Sequence, residues 1–459
     1  MADVRLPAHL ETWIADVTQG ELMSATRRPG GARKEAWHVE VKDGQGELRH
    51  LFLRYDRADP AAVGDPWTVH KEGEIYLALA PTDVPVPPVV AVHPTDQALL
   101  EGRIEGENWF ARLQDEDARL AIAREFMRHL AALHRLDPAQ LDLPSFPAVT
   151  TVPDLVRRQL DELEAILAFR GGKVEPGLVF TLRWLREHVP AYEGPVVLVQ
   201  GDTGPGNFMY QDGRITAIVD WELAHLGDPM DDLAWLSLRA TQEPFTHLPD
   251  RVREYVDLSG HALDLDRVRY YRVLAEAKLR VMSHGRQVGA ADDGGGGADL
   301  GTRLIYTTLH MRLWMEALGD VLGERFEPPA LPPVPEPTET DALYDNVLGQ
   351  LREVIVPRID DPFAATRAKG VARLLKYLAG VSRQGGGFER QELDELADAL
   401  GARPASVVAG RAEIDRAFEE GRLEPAAYLG LLAKRIFRQN ELLRPASGVL
   451  ADRHWPALV

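Results

Sequence analysis

The feature that most limits what this chain can fold into is a change of hydrophobic period near residue 105. Before it, apolar residues alternate: "KEAWHVEV" and "LRHLFLRYD" read as half-buried antiparallel strands, and Asp43-Gly44 in the intervening "KDGQGE" is a hairpin signal. "TVHKEGEIYLALAP" interrupts the alternation, with Val69, Ile75, Leu77 and Leu79 at a spacing that fits a helix. "VPVPPVVAVHP" and "QALLEGRIEGE" then return to extended chain, the prolines of the first suiting an edge or a loop. From about residue 116, "DEDARLAIAREFMRHLAALHRL" and "VPDLVRRQLDELEAILAFR" repeat apolar residues every three or four positions, as amphipathic helices do. A strand-rich front followed by a helix-rich body predicts an α+β architecture, with a front lobe over 1–105 and a helical lobe over 106–326.

A second boundary follows. "FEPPALPPVPEPTET", from Phe326 to Thr340, is too dense in proline to continue a helix, so 327–340 reads as a linker. Beyond it, "DALYDNVLGQLREVIVPRI", "AATRAKGVARLLKYLAGVSR", "ERQELDELADALGA" and "EPAAYLGLLAKRIFRQNELL" predict an all-helical domain over 341–459. Because the linker separates them, the chain before it is expected to fold without the tail. Asp292 to Gly297, "DDGGGG", reads as a loop, and the sequence contains no internal repeat.

Composition narrows the function. The 459 residues exceed one compact core, and 45% hydrophobic content suffices for several. With no cysteine, thiolate nucleophiles, disulfides and zinc-thiolate sites are excluded. The opening "MADVRLPAHLETWIADV" carries acids within its apolar stretch and does not read as a secretory leader, and no run approaches a membrane span. The expected location is therefore cytoplasmic, with no membrane partner. A formal charge of −19 argues against a nucleic-acid partner, since phosphate-backbone surfaces need clustered Lys and Arg; it fits an acidic groove for a cationic ligand or an acidic soluble surface.

The segment from Val196 to Leu236, "VVLVQGDTGPGNFMYQDGRITAIVDWELAHLGDPMDDLAWL", carries the chemistry. "PVVLV" reads as a buried strand, and Gly201 allows a sharp exit that leaves Asp202 at its end. "NFMY", "QDG" and "RITAIVDW" read as a hairpin turning at Asp212-Gly213, with Asn207 before its first strand and Asp220 after its second. A hairpin returns those two residues to one end, where they converge with Asp202. Hard oxygen donors of this kind suit Mg²⁺, which takes one or two carboxylates and completes its shell with water and phosphate oxygens. Read only as local structure, the same residues would cap a turn and end a strand.

Gly-Asp, four residues, Asn, then a hairpin and an Asp resembles the catalytic segment of protein-kinase-like enzymes. Together with the following "DWELAHLGDPMDDLAW", it resembles the aminoglycoside phosphotransferase family, in particular the branch whose phosphotransferase domain is fused to some acyl-CoA dehydrogenases. The likeness covers roughly Leu6 to Phe326. It implies a two-lobed protein-kinase-like fold, with Asp202 accepting the proton of an acceptor hydroxyl and Asn207 and Asp220 holding Mg²⁺ on ATP. It also implies a phosphate-covering turn at Gly30-Gly31, although an ordinary hairpin loop reads the same way. At the position of the phosphate-binding lysine this chain has Arg54, whose guanidinium can bind phosphate and a carboxylate. The expected helix partner of Arg54 is Glu74, with Glu72 second; a surface ion pair unrelated to ATP is the alternative. Backbone groups of about Glu101 to Arg103 would meet adenine.

Two features depart from that family. Gln200 stands where the family usually has histidine, and Arg54 where it has lysine. "HLGDPMDDLAWL" fits better: Asp228 is expected to cap a helix that has Pro229 at its first position, with Asp232 near the start in a structural role, and His225 reads as a loop histidine. The expected activity is ATP- and Mg²⁺-dependent phosphorylation of a small-molecule hydroxyl, such as that of a hydroxylated acyl metabolite. The alternatives are an aminoglycoside-type antibiotic kinase and a catalytically weak nucleotide-binding module that acts through the helical tail on a protein partner or a second copy.

Overall fold

The computed structural model describes residues 5–28, 34–58, 64–285 and 299–459. Its front lobe begins with α1 (Ala8–Thr18), β1 (Glu21–Arg28), β2 (Glu35–Lys42) and β3 (Leu48–Asp56), followed by α2 (Val69–Leu79), β4 (Val89–Val92) and β5 (Gln97–Gly102). The strands form one antiparallel sheet in the order β1-β2-β3-β5-β4. Period-two alternation decides what each face carries. Trp37, Val39 and Val41 of β2, Leu51, Leu53 and Tyr55 of β3, and Ala98 and Leu100 of β5 pack with Leu10 and Ile14 of α1. The residues between them, among them Ala36, His38, Phe52, Arg54 and Glu101, consequently face the opposite side, toward the second lobe. α2 begins where Thr68 accepts a hydrogen bond from the Lys71 amide at 3.1 Å and buries Val69, Ile75 and Leu79. Leu77, expected on that apolar face, is 55% exposed instead.

The second lobe comprises α3 (Glu116–Arg135), α4 (Val152–Arg170), α5 (Pro176–Glu187), β6 (Val197–Val199), β7 (Phe208–Gln211), β8 (Arg214–Ile218), β9 (His225–Gly227), α6 (Pro229–Gln242), α7 (Leu248–Ser259), α8 (Leu265–Ser283) and α9 (Leu300–Leu322). β6 pairs with β9 and β7 with β8, both antiparallel. The β7–β8 turn falls at Asp212-Gly213, where φ values of 49° and 75° match the left-handed conformation such two-residue turns require. Reciprocal backbone hydrogen bonds of 2.9 Å between Glu107 and Tyr210 tie the interlobe connection to this hairpin. The observed architecture is thus the two-lobed, kinase-like α+β class expected from the sequence, with a helical C-terminal region. Expected loop residues Asp292 to Gly297 lie outside the described residues. Among those described, no helix is long and apolar enough to cross a membrane.

After an extended proline-rich stretch come α10 (Glu339–Gln350), α11 (Pro362–Leu400), α12 (Val407–Glu419) and α13 (Pro425–Ser447). The two helical segments quoted from the sequence, 364–383 and 389–402, are one helix: α11 runs unbroken for 39 residues through Gly385-Gly386-Gly387. Each glycine costs a helix about 1 kcal/mol relative to alanine, but tertiary contact on both sides offsets that cost. Phe388, Glu392 and Leu396 beyond the glycines are buried, and Glu392 receives a two-pronged pair from Arg411 of α12 at 2.6 and 2.7 Å. The tail also does not stand apart. Leu396, Ile414, Tyr428, Leu429, Leu432 and Ile436 belong to the same apolar core as Trp314, Leu178 and Leu182 of the helical lobe. Trp455 Nε1 donates to the Leu313 carbonyl at 2.8 Å, and Arg272 donates to the Pro456 carbonyl at 2.8 Å. The linker separates 341–459 along the sequence, while the apolar interior runs across it.

Candidate functional site

A cleft of about 770 Å³ lies between the lobes. Asn207 and Asp220 line its floor, and Arg54, Glu101 and Arg103 line the sheet side. Gly201, with φ +82°, makes the sharp exit from β6; a Cβ there would lie 2.4 Å from the Leu223 carbonyl oxygen, so only glycine fits. The hairpin then closes as expected, with the Val219 amide donating to the Asn207 carbonyl at 2.9 Å. Asp220 adopts φ +63°, a left-handed conformation that costs a non-glycine residue about 1–3 kcal/mol and persists only where its surroundings hold it.

Gln200 supplies that hold. Its Nε2 donates to the carbonyls of Val219 and Asp220 at 3.2 and 3.0 Å, while its Oε1 accepts from the Asp202 amide at 3.1 Å and the Thr203 hydroxyl at 2.9 Å. An amide that donates twice and accepts twice links both halves of the site, which an imidazole with two ring nitrogens could not do. Asp232, buried in α6, fixes the loop from beneath: it accepts from the amides of Gln200 and Gly201 at 2.9 Å each and from the Thr203 hydroxyl, with His134 Nε2 2.9 Å away. Asp228 caps α6 through the Met230 amide at 2.9 Å, with Pro229 in the first turn, and pairs with Arg267 at 2.8 and 2.7 Å. His225 is satisfied by the Leu223 carbonyl and Asp231, each at 2.9 Å.

Asp202 stands behind Asn207, whose Nδ2 donates to Asp202 Oδ2 at 2.8 Å and to the Asp202 carbonyl at 2.7 Å. Arg239 grips the same carboxylate with Nε on Oδ1 at 2.7 Å and Nη2 on Oδ2. Burial pushes the Asp202 pKa above the usual carboxylate value even though Arg239 and Asn207 pull the other way. For Asp220 burial also pushes upward, but Arg54, Lys34 and Arg239 outweigh it and hold this carboxyl below its ordinary value. The two carboxylates are therefore set apart, one more basic and one firmly ionised.

Arg54 joins the lobes. Its Nη1 lies 3.0 Å from Glu72 Oε1 and its Nη2 donates to Asp220 Oδ1 at 3.2 Å. The partner on α2 is Glu72, not Glu74: the two carboxylates lie about 200° apart around the helix, so only one can face the sheet. Glu72 is fully buried and also accepts from the Tyr76 hydroxyl at 2.9 Å, whereas Glu74 accepts from the Ser145 amide at 3.1 Å on the outer side. Gly30 and Gly31 lie outside the described residues, between β1 and β2. The Gly102 and Arg103 amides are spent on the carbonyls of Pro88 and His50 at 2.8 and 3.2 Å, so any backbone amide contact with a base shifts to Ile104–Gly106, further along the cleft wall.

Sequence reasoning missed Lys34 and Arg239. Lys34 lines the cleft and pairs with Glu222 at 2.9 Å; its only signal is its place between the glycine pair and β2. Arg239 lies seven residues after Asp232, two helical turns along one face of α6, so both side chains reach the loop that holds Asp202. Among the described residues no cluster of three His, Asp or Glu side chains forms a metal cage. Asp220, with Arg54 on one oxygen only, and Asn207, whose nitrogen is turned to Asp202 and whose carbonyl oxygen is not, are the hard donors present. That set suits a cation such as Mg²⁺, which draws most of its remaining ligands from water and phosphate.

The family model described as "Phosphotransferase enzyme family" matches residues 24–271, more than half of the chain. Among curated proteins, the chain is 30% identical over 225 residues to a probable acyl-CoA dehydrogenase, IBR3, of Arabidopsis thaliana, covering 45% of this chain and 26% of that protein. It is 30% identical over 122 residues to acyl-CoA dehydrogenase family member 11 of Rattus norvegicus, covering 26% of this chain and 15% of that one. The match thus spans about a quarter or less of these relatives. Among solved structures, a putative aminoglycoside phosphotransferase from Ralstonia eutropha superposes with a TM-score of 0.48 at 20% identity, over 64% of this chain and 93% of that one. A macrolide 2'-phosphotransferase from Brachybacterium faecium gives 0.44 at 20% identity, over 61% and 92%.

Proposed function

Because the chain belongs to the phosphotransferase enzyme family, we propose that it transfers the γ-phosphoryl group of ATP, with Mg²⁺, to a hydroxyl group of a small molecule in the cytoplasm. The observation that carries this reading is the line of charge across the cleft: buried Glu72, Arg54 at 3.0 Å, then Asp220 at 3.2 Å beside Asn207. Such a line supports a reading in which a fixed cation meets the phosphates and an ionised carboxylate meets their metal. Asp202 orients the acceptor hydroxyl and takes its proton, a task favoured by a pKa that burial has raised. Asn207 and Asp220 hold the metal, Arg54 and Lys34 meet the phosphates, and backbone groups near Glu101 to Arg103 and just beyond receive the base. Held by Asn207 and Asp220, Mg²⁺ would supply positive charge against the charge that develops on the phosphates. The proposed division is a nucleotide-binding lobe over 1–105, a helical lobe over 106–326, a proline-rich linker over 327–340 and a helical region over 341–459 that packs on the second lobe.

For the acceptor we favour a hydroxylated acyl metabolite over an aminoglycoside. Acids outnumber bases 71 to 52 in the chain, yet the cleft lining carries as many Arg and Lys side chains as Asp and Glu. A polycationic antibiotic calls for an excess of acid at its site. Similarity to proteins named as acyl-CoA dehydrogenases supports the same choice. One observation favours the non-catalytic alternative: Arg239 occupies both oxygens of Asp202, which does not itself line the cleft. Phosphate transfer to a panel of hydroxy acids, hydroxyacyl thioesters, amino alcohols and aminoglycosides separates the two. Asp202→Asn is expected to leave Mg-ATP affinity nearly unchanged and to lower turnover by about a hundredfold or more. Wild-type turnover in Asp202→Asn would remove Asp202 from the mechanism, and tight nucleotide binding with no transfer to any acceptor would favour the binding module.

A further inference from the structure

The side chain of Glu101 is used by nothing described so far. It lies on β5, on the sheet face opposite the α1 core, directly across from Phe52 of β3, and it lines the interlobe cleft while only 6% exposed. Among the described residues its buried Oε2 has no hydrogen-bond partner. The neighbouring cation does not satisfy it, because the two ends of the Arg54 guanidinium are committed to Glu72 and Asp220. An unpartnered carboxyl oxygen buried in a cleft wall costs about 1–3 kcal/mol, so a ligand that satisfies it gains over one that does not. The surroundings suit a flat, partly polar ring: Phe52, Ile104, Met209 and Val219 line the same cleft.

We propose that Glu101 determines nucleobase specificity, its carboxyl pairing with the exocyclic amine of adenine and so favouring ATP over GTP. This rests on the cleft being a nucleotide site. Burial pushes the Glu101 pKa up to about 8, with Arg54 opposing and Glu72 adding to the rise, so the side chain is an uncharged acid at neutral pH, one donor beside one acceptor. Adenine offers an N–H donor next to a ring-nitrogen acceptor on both edges that carry its amine, and either edge matches that acid. Guanine places the acceptor O6 where adenine has its amine, with N7 beside it on one edge and the N1–H donor beside it on the other, so a Glu101 carbonyl held opposite that position faces another oxygen on either edge. Glu101 touches the base alone and is a specificity-determining residue, with no part in proton transfer.

Calorimetric titration of the full chain with Mg-ATP and Mg-GTP tests this without an acceptor. The wild type is expected to bind ATP about tenfold or more tightly than GTP, since a site built to hydrogen-bond a group discriminates against its absence. Glu101→Gln, whose amide also sets a donor beside an acceptor, is expected to keep that ratio. Glu101→Met, of similar volume and without either group, is expected to bring the ratio within about threefold of unity. An unchanged ratio in Glu101→Met, or a ratio lost in Glu101→Gln, overturns the proposal while leaving the nucleotide site intact. Failure of the wild type to bind either nucleotide overturns the site and the proposal together, and thermal unfolding of each variant shows whether a loss of binding is a loss of fold.

Discussion

Gln200 gives the site much of its stiffness from a single side chain. Its four hydrogen bonds join the carbonyls of Val219 and Asp220 to the amide of Asp202 and the hydroxyl of Thr203. Gln200→Ala leaves those buried groups unpaired and is expected to destabilise the protein by about 2–4 kcal/mol in denaturant unfolding. A change below the error of that measurement would mean that water replaces the amide. Glu101 brings a pH dependence of calculable sign. Its folded pKa, about 8, lies above the ordinary value of 4.5, so the folded state binds a proton that the unfolded chain releases, and this stability is lost as pH rises from about 4.5 through 8. Glu101→Gln removes that loss: the variant should gain on the wild type by roughly 3–5 kcal/mol between pH 5 and pH 9. A stability difference that is flat with pH would show that Glu101 is ionised throughout. At this scale Asp202, Asn207 and Asp220 were legible, because a strand exit and a two-residue hairpin turn bring them together within twenty residues of chain. Arg239, Lys34 and the choice of Glu72 over Glu74 were not, since each is settled by which helix or strand face meets a distant loop.

The front sheet and the long helices follow the periods visible in the sequence, because each element buries one face and exposes the other. α11 does not follow its sequence, since three consecutive glycines argue against a helix that tertiary packing imposes nonetheless. Cβ atoms at Gly385 and Gly386 would meet only ordinary contacts, at 3.4 Å or more, whereas one at Gly387 would sit 3.2 Å from Pro332 Cγ. Gly385→Ala and Gly386→Ala are therefore each expected to stabilise the fold by about 0.5–1 kcal/mol, and Gly387→Ala to gain less or to lose. Equal effects at all three positions would show that the proline-rich segment does not press on α11.

Across the whole molecule the helical tail completes the core of the lobe that carries the site. Trp314 and Leu178 pack in one interior with Leu429, Leu432 and Ile436 of α13, and Glu175, at the start of α5, pairs with both Arg280 of α8 and Arg435 of α13. A chain ending near Pro328 exposes that interior at a cost of about 1.5–3 kcal/mol for each large apolar side chain, so it should be insoluble or unfold without cooperativity. A soluble, cooperatively folding truncation would show the tail to be an accessory. The central claim, that the cleft binds Mg-ATP through Asp220 and Arg54, is tested most directly by titrating Mg-ATP into the full chain and into Asp220→Asn. Saturable, metal-dependent binding by the wild type, weakened about tenfold or more in Asp220→Asn, is the predicted result. Equal affinity in the two proteins, or none in the wild type at millimolar nucleotide, would contradict it.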